Sequence, residues 1–114
     1  MIDFACKQFK LDEVIKCGLG LTKADIKLIE MFLDESEWNT TSEIAQKLGF
    51  NLSTIQRSVK RLYEKGVLLR IQENLDSGGY IFLYKIKTKV ALKELIMKIV
   101  NNWVKAVEKE LDQW

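Results

Sequence analysis

Proline and histidine are both missing from the 114 residues, and cysteine occurs only twice. Without proline, helices run uninterrupted and a disordered, proline-rich linker is disfavoured. Without histidine, Ser-His-Asp triads, zincin motifs and imidazole-based metal sites are excluded. Cys6 and Cys17 are too few for a disulfide framework and lack metal-ligand spacing. On one unbroken helix they would stand about 16 Å apart, too far to bridge. They read as small buried hydrophobes in a reducing compartment, with a redox link between two subunits as the less economical alternative. No apolar run approaches the roughly 20 residues of a membrane span, and no signal peptide opens the chain. A nucleophile–base set, a glycine-rich phosphate loop and a clustered carboxylate pair are all lacking, so the residues point away from an enzyme and call for no cofactor or metal. The expectation is a cytoplasmic binding protein.

What is present suits one soluble domain over 1–114. Hydrophobic residues make up 47% and charged ones 30%, a balance that can fill a core and still solvate a surface. The net charge of +2 hides an uneven distribution. Residues 1–40 carry a net −3, residues 41–72 a net +4 and residues 73–114 a net +1. The basic excess therefore sits in one central segment, as a polyanion-binding surface requires, although a solvated basic face would look the same.

Three stretches are delimited, 1–20, 21–88 and 89–114. In the first, Phe4, Phe9, Val14 and Ile15 suggest one or two helices ending at Gly18 or Gly20. In the second, Thr22 and Asp25 form a box-like N-cap for a helix whose buried stripe is Ile26, Ile29, Phe32 and Leu33, with Leu21 and Ile26 stapled across the cap. Thr40 and Glu43 make a capping box for a two-turn helix that turns Ile44, Ala45 and Leu48 inward and stops at Gly49. Asn51 is the N-cap of the next helix, which Gly66 terminates. At 100° per residue its apolar residues Leu52, Ile55, Val59 and Leu62 cluster within about 60° of Ile55. Ser53, Arg57, Lys60, Arg61 and Glu64 fall on the opposite side, and Thr54 and Gln56 on the flanks. After Gly66 the period changes to two. "VLLRIQE" and "YIFLYKIK", separated by "NLDSGG", read as a β-hairpin.

The third stretch, from about Val90, is a long helix whose apolar residues span an arc of roughly 200°, about twice what one buried face needs. One seam is Leu92, Ile96, Ile99, Trp103 and Ala106. The other is Met97, Val100, Val104, Val107, Leu111 and Trp114. Two seams call for two partners: the chain's own domain, and the same helix of a second subunit. The N-terminal helix covering both is the bland alternative.

Helix, turn, helix, β-hairpin is the order of a winged helix-turn-helix. The stretch "TTSEIAQKLGFNLSTIQRSVKRLYEKGVLLR" resembles the core of that superfamily. Ala45 stands at the small position where two helices cross, Gly49 at the turn, Ile55 and Val59 at the lock between the helices, and "EKGVL" at the junction to the wing. Upstream, "LGLTKADIKLIEMFL" resembles archaeal TrmB-like sugar regulators and MarR-like proteins. The resemblance implies a mostly α (α+β) fold with a two-stranded wing and a long C-terminal dimerisation helix. It also implies a second helix that enters the DNA major groove and a dimeric transcriptional regulator.

The residues suit that role. A helix fits the major groove, where base edges carry distinct donor and acceptor patterns. Arg57 can fork onto guanine and Gln56 can pair with adenine. Ser53 and Thr54 reach bases or phosphates, and Lys60 and Arg61 phosphates. The free amides following Thr40 and Asn51 bring Thr41, Ser42 and Asn51 to phosphate oxygens. The wing tip "NLDSGGY" has no base and includes Asp76, which repels a phosphate. Either the wing touches the backbone only through Ser77 and the amides of Gly78 and Gly79, or it lies away from it, with Arg70 and Lys85 on the strands to compensate. Expected partners are double-stranded DNA and a second copy of the chain, with no membrane. A small apolar effector lined by Trp103, Met97 and Phe32 is conceivable, but core packing explains those side chains more economically. Sugar sensing by TrmB-like proteins uses a large extra domain for which this chain has no room. The competing reading is a winged helix used for protein–protein contact in transcription or other macromolecular machinery.

Overall fold

The computed structural model describes residues 1–114 and divides them into two compact units, Thr22–Lys87 and a second made of Met1–Leu21 with Thr88–Trp114. In the central unit lie three helices, α2 (Lys23–Asp34), α3 (Thr41–Leu48) and α4 (Leu52–Glu64), and the antiparallel strands β3 (Leu68–Asn74) and β4 (Tyr80–Ile86). This is the winged helix-turn-helix order.

Local chemistry fixes the helix ends. Both capping boxes form: the Thr22 hydroxyl accepts from the Asp25 amide and the Thr40 hydroxyl from the Glu43 amide, with each carboxylate accepting in return from the N-cap amide. Gly49 closes α3 at φ +70°, a left-handed conformation that would strain a side-chain-bearing residue. Gly66, at φ +84°, does the same after α4, where the Val67 amide reaches back to the Leu62 carbonyl and starts the wing.

The core of this unit is Leu28, Phe32, Ile44, Ile55, Val59 and Leu62, closed by Val67, Leu68, Tyr84 and Ile86. Two expected core positions move. On α2 the buried stripe is Asp25, Leu28 and Phe32, while Leu33 is 61% exposed. On α4 the buried face is Ile55, Ser58, Val59 and Leu62, while Leu52 is 43% exposed at the first turn. In both cases the buried face includes a polar residue that an apolar-only pattern leaves out.

The Asp25 side chain is fully buried. It accepts from the Thr22 amide at 3.0 Å and, through both oxygens at 2.8 Å each, from the Arg61 guanidinium. A buried carboxylate is tolerated only when paired and hydrogen-bonded, and here one arginine on α4 supplies most of the pairing. A second polar tie is Asn39, which exchanges both backbone hydrogen bonds with Tyr84 (3.0 and 2.9 Å) and adds a one-residue third strand to the wing. Its side chain donates to the Glu37 carbonyl and accepts from Lys47.

In the other unit the expectation of helix from the N-terminus is corrected. Residues 1–9 form a small antiparallel hairpin, β1 (Ile2–Asp3) with β2 (Gln8–Phe9), whose Phe4 and Phe9 rings meet edge to face at 5.6 Å. Helix α1 begins only at Leu11 and ends at Leu19. Cys6 and Cys17, expected to be buried, are both exposed. Helix α5 (Lys89–Asp112) is capped by Thr88 and has no fully buried residue. A Cβ added at Gly18 of α1 would meet the Ile99 side chain at 3.1 Å, so α1 crosses α5 closely there. Leu92, Ile96 and Ile99 are half-buried, but Trp103, in the same seam, is 59% exposed, so the chain covers only the first part of that seam. No helix is long and apolar enough to cross a membrane.

Removing the arginine of the buried pair strands the Asp25 carboxylate. Arg61→Ala is expected to lower stability by about 3–5 kcal/mol, measured by urea unfolding; a loss under about 1 kcal/mol, typical of an exposed pair, would show the pair to be incidental.

Candidate nucleic-acid interface

The clamp from behind decides what α4 shows in front. With Ile55, Ser58, Val59 and Leu62 inward and Arg61 drawn to Asp25, the residues left on the outer side are Ser53, Gln56, Arg57, Lys60 and Glu64, all exposed, with Thr54 half-buried at the flank. Arg57 and Lys60 form no ion pair; the salt bridges of the chain are Arg61–Asp25 and Lys47–Glu35. Their charges are therefore directed to solvent and free to meet an external anion. Arg61, placed by the sequence among the phosphate-binding residues, is instead a structural residue. Its side chain is only 33% exposed and holds the buried carboxylate at 2.8 Å.

The two helix starts differ. At α3 the capping box satisfies the Glu43 amide, and the Thr41 and Ser42 amides have no partner within the protein. At α4, Asn51 stands at the N-cap but makes no side-chain capping bond, so its amide group and the first-turn amides remain available.

One open cleft of about 630 Å³ brings together residues distant in sequence. Thr41 and Ser42 of α3, Gln56 and Lys60 of α4 and Arg70 of β3 all line it. Five of the expected DNA-contact residues thus share one concavity, while Asn51, Ser53, Thr54 and Arg57 lie outside its lining. The wing tip is separate again. There the Gly78 amide donates to the Leu75 carbonyl at 3.1 Å, so it is spent inside the turn and not free for a phosphate. Ser77 and Gly79 are exposed beside Asp76.

Two residues of this surface escaped the sequence reading. Tyr63 and Phe82 line the cleft and sandwich Arg70, whose guanidinium carbon lies 4.2 Å from the Tyr63 ring centre and 4.3 Å from that of Phe82. A signal existed for Tyr63, which stands seven residues after Gln56 and so on the same flank of α4. For Phe82 the signal was the strand alternation that pairs it with Gln72, diagonal to Arg70.

On α5 the other seam is bare. Met97, Val104, Val107, Leu111 and Trp114 are exposed and Val100 is half-buried. Trp103, Ala106, Val107 and Leu111 line a shallow groove of about 440 Å³ near the end of the helix. Of the three side chains suggested for an effector crevice, Phe32 is fully buried in the core of its unit and unavailable, while Trp103 and Met97 are exposed.

Comparison with known proteins agrees with this architecture. The family model described as the DnaD N-terminal domain matches residues 9–107. A possible transcriptional regulator from Methanosarcina mazei Go1 shares 49% identity, with 100% of this chain and 96% of that one covered and a TM-score of 0.93. An uncharacterized protein of Methanocaldococcus jannaschii is 26% identical over 108 residues, 95% of this chain and 81% of its own length. A MarR protein from Peptoclostridium difficile shares the fold at 17% identity, with 91% of this chain and 65% of that one covered and a TM-score of 0.53.

Because Arg57 and Lys60 are exposed and unpaired, Arg57→Ala and Lys60→Ala are each expected to change stability by less than about 0.5 kcal/mol. Thermal melts check this, and a larger drop would mean that one of them supports the fold.

Proposed function

From a chain that belongs to the DnaD N-terminal domain family and carries a winged helix-turn-helix, we propose a dimeric, sequence-specific double-stranded DNA-binding transcriptional regulator of the cytoplasm that reads the major groove with α4. The observation that carries this reading is the outer face of α4, where Arg57 and Lys60 stand exposed without an acidic partner while Arg61 holds the helix from behind. Arg57 is the base-reading residue, able to fork onto guanine, with Gln56 beside it and Ser53 and Thr54 in the first turn. Lys60, the hydroxyls and amides at Thr41 and Ser42, and the Asn51 side chain meet phosphates and set register. The description of the Methanosarcina mazei protein supports the assignment.

In this proposal residues 22–87 form the DNA-reading part and α5 the dimerisation element. Met97, Val100, Val104, Val107, Leu111 and Trp114 make a seam stepping by three and four, the spacing of helix–helix contact. Leaving such a seam in water is costly at roughly 25 cal/mol per Å² of apolar surface. A two-fold dimer presents two copies of α4 to half-sites about 34–36 Å apart, or a multiple of that, on a near-palindromic site.

Two measurements test the proposal. Selection of bound fragments from random duplex DNA is expected to return a near-palindrome, and Arg57→Ala to weaken binding to it by about 1–3 kcal/mol and relax specificity at one position. Undiminished binding by that variant would show that another element reads the bases. Light scattering is expected to report a dimer that Val104→Glu with Val107→Glu converts to monomer. A wild-type monomer at every concentration, with no DNA affinity, would favour α5 as a seat for a different protein.

A further inference from the structure

The geometry points to the stem of the wing, not its tip, as the part that holds DNA: Arg70, fixed between Tyr63 and Phe82, is a preformed clamp for one backbone phosphate. This inference rests on the DNA-binding reading and assigns to the wing a contact of its own.

The tip is poorly made for the task. It has no Lys or Arg, it includes the carboxylate of Asp76, and the Gly78 amide is already bonded to Leu75. A strand position with the opposite properties lies at the base of the hairpin. Arg70 is opposite Tyr84 and diagonal to Phe82 across the two strands. Its guanidinium lies between two aromatic rings, one from α4 and one from β4, at 4.2 and 4.3 Å. Each such contact holds a cation over a ring face, and the planar guanidinium is the group best shaped for stacking on both sides.

Neither ring takes a hydrogen-bond acceptor's place beside the guanidinium. Arg70 makes no salt bridge and no hydrogen bond to any protein acceptor, and it remains exposed. Its N–H donors are therefore unspent, in a side chain held near two aromatic rings. A planar fork of donors matches two oxygens of a phosphate. The cleft it lines also includes Lys60, which adds a second positive charge, and the hydroxyls of Thr41 and Ser42; Glu64, on the wall formed by α4, leaves the cleft cationic on balance. An isolated arginine on a wing must be ordered when it binds, which costs part of the contact. Here the ordering is built into the fold. Because one ring comes from α4, the clamp also fixes the distance between the reading helix and the phosphate beside it.

The test uses the 114-residue chain and the duplex that its wild-type form selects. Affinity is measured over a range of salt, because each phosphate neutralised contributes about 0.9 to the slope of log K against log salt. Arg70→Gln is expected to lower that slope by about one and weaken binding about tenfold. Arg70→Lys, which keeps the charge but cannot stack or fork in the same way, is expected to keep the slope and still lose affinity. Phe82→Leu is expected to do the same, since it loosens the clamp and leaves the charge. Asp76→Asn at the tip is expected to leave the slope unchanged. An unchanged slope for Arg70→Gln, in a protein whose circular dichroism and wild-type binding are intact, would overturn the clamp alone. A wild-type chain that ignored duplex DNA would overturn the proposed function and, with it, the clamp.

Discussion

One buried carboxylate organises the exposed face of α4. Asp25 closes the start of α2 through Thr22 and, through Arg61, draws α4 against it. Apolar packing buries one face of α4, but the hydrophobic effect is non-directional and by itself fixes the exact rotation of a helix less firmly than a directed polar contact does. The ion pair opposes such a rotation, because one guanidinium nitrogen of Arg61 is held 2.8 Å from both oxygens of a carboxylate buried under α2. The rotation of α4 then decides which residues meet the outside. With Arg61 held inward, Arg57 and Lys60 are left outward. A buried pair of this kind is weak evidence for added stability, since burial costs much of what attraction returns. Its contribution here is to orientation.

The same division of labour recurs around the wing. Gly66 turns the chain out of α4, Val67 and Leu68 anchor the hairpin in the core, and Asn39 pairs with Tyr84 from the other side. Beyond that anchored base the β3 residues are exposed. A firm stem with a solvated far end is what a two-stranded ribbon requires, because isolated hairpins are marginal in water. It also explains why the polar chemistry concentrates at the stem, where Arg70 has two rings to rest on.

Much of this was legible because the deciding interactions are local. Both capping boxes, the turn at Gly49 and the change of period after Gly66 involve residues within a few positions of one another, and all appear as read. The outward set on α4 was legible as well, apart from Arg61. That residue is separated by 36 positions from the carboxylate it serves, and no short-range pattern connects them. By spacing Asp25 fits a cap and carries no mark of a core group, and a stripe drawn without it passes over Leu28 and turns Leu33 inward. Ser58 was missed for the same reason, since a hydroxyl on a buried face breaks an apolar rule without breaking the helix. The first hairpin was illegible because its strands are two residues long, too short to show alternation. The burial of Cys6 and Cys17 was inferred from residue type, and small hairpins and amphipathic helices leave such residues in solvent.

From Asn101 to Asp112 every residue of α5 is exposed. A helical segment of that length holds only marginally by its own propensity, since isolated helices below about 12–15 residues are unstable in water. With a second copy laid along it, its order follows mass action, and the folded fraction climbs with the amount of protein present. On the proposed pairing, scarcity would leave this end frayed and open to proteases, while abundance would protect it.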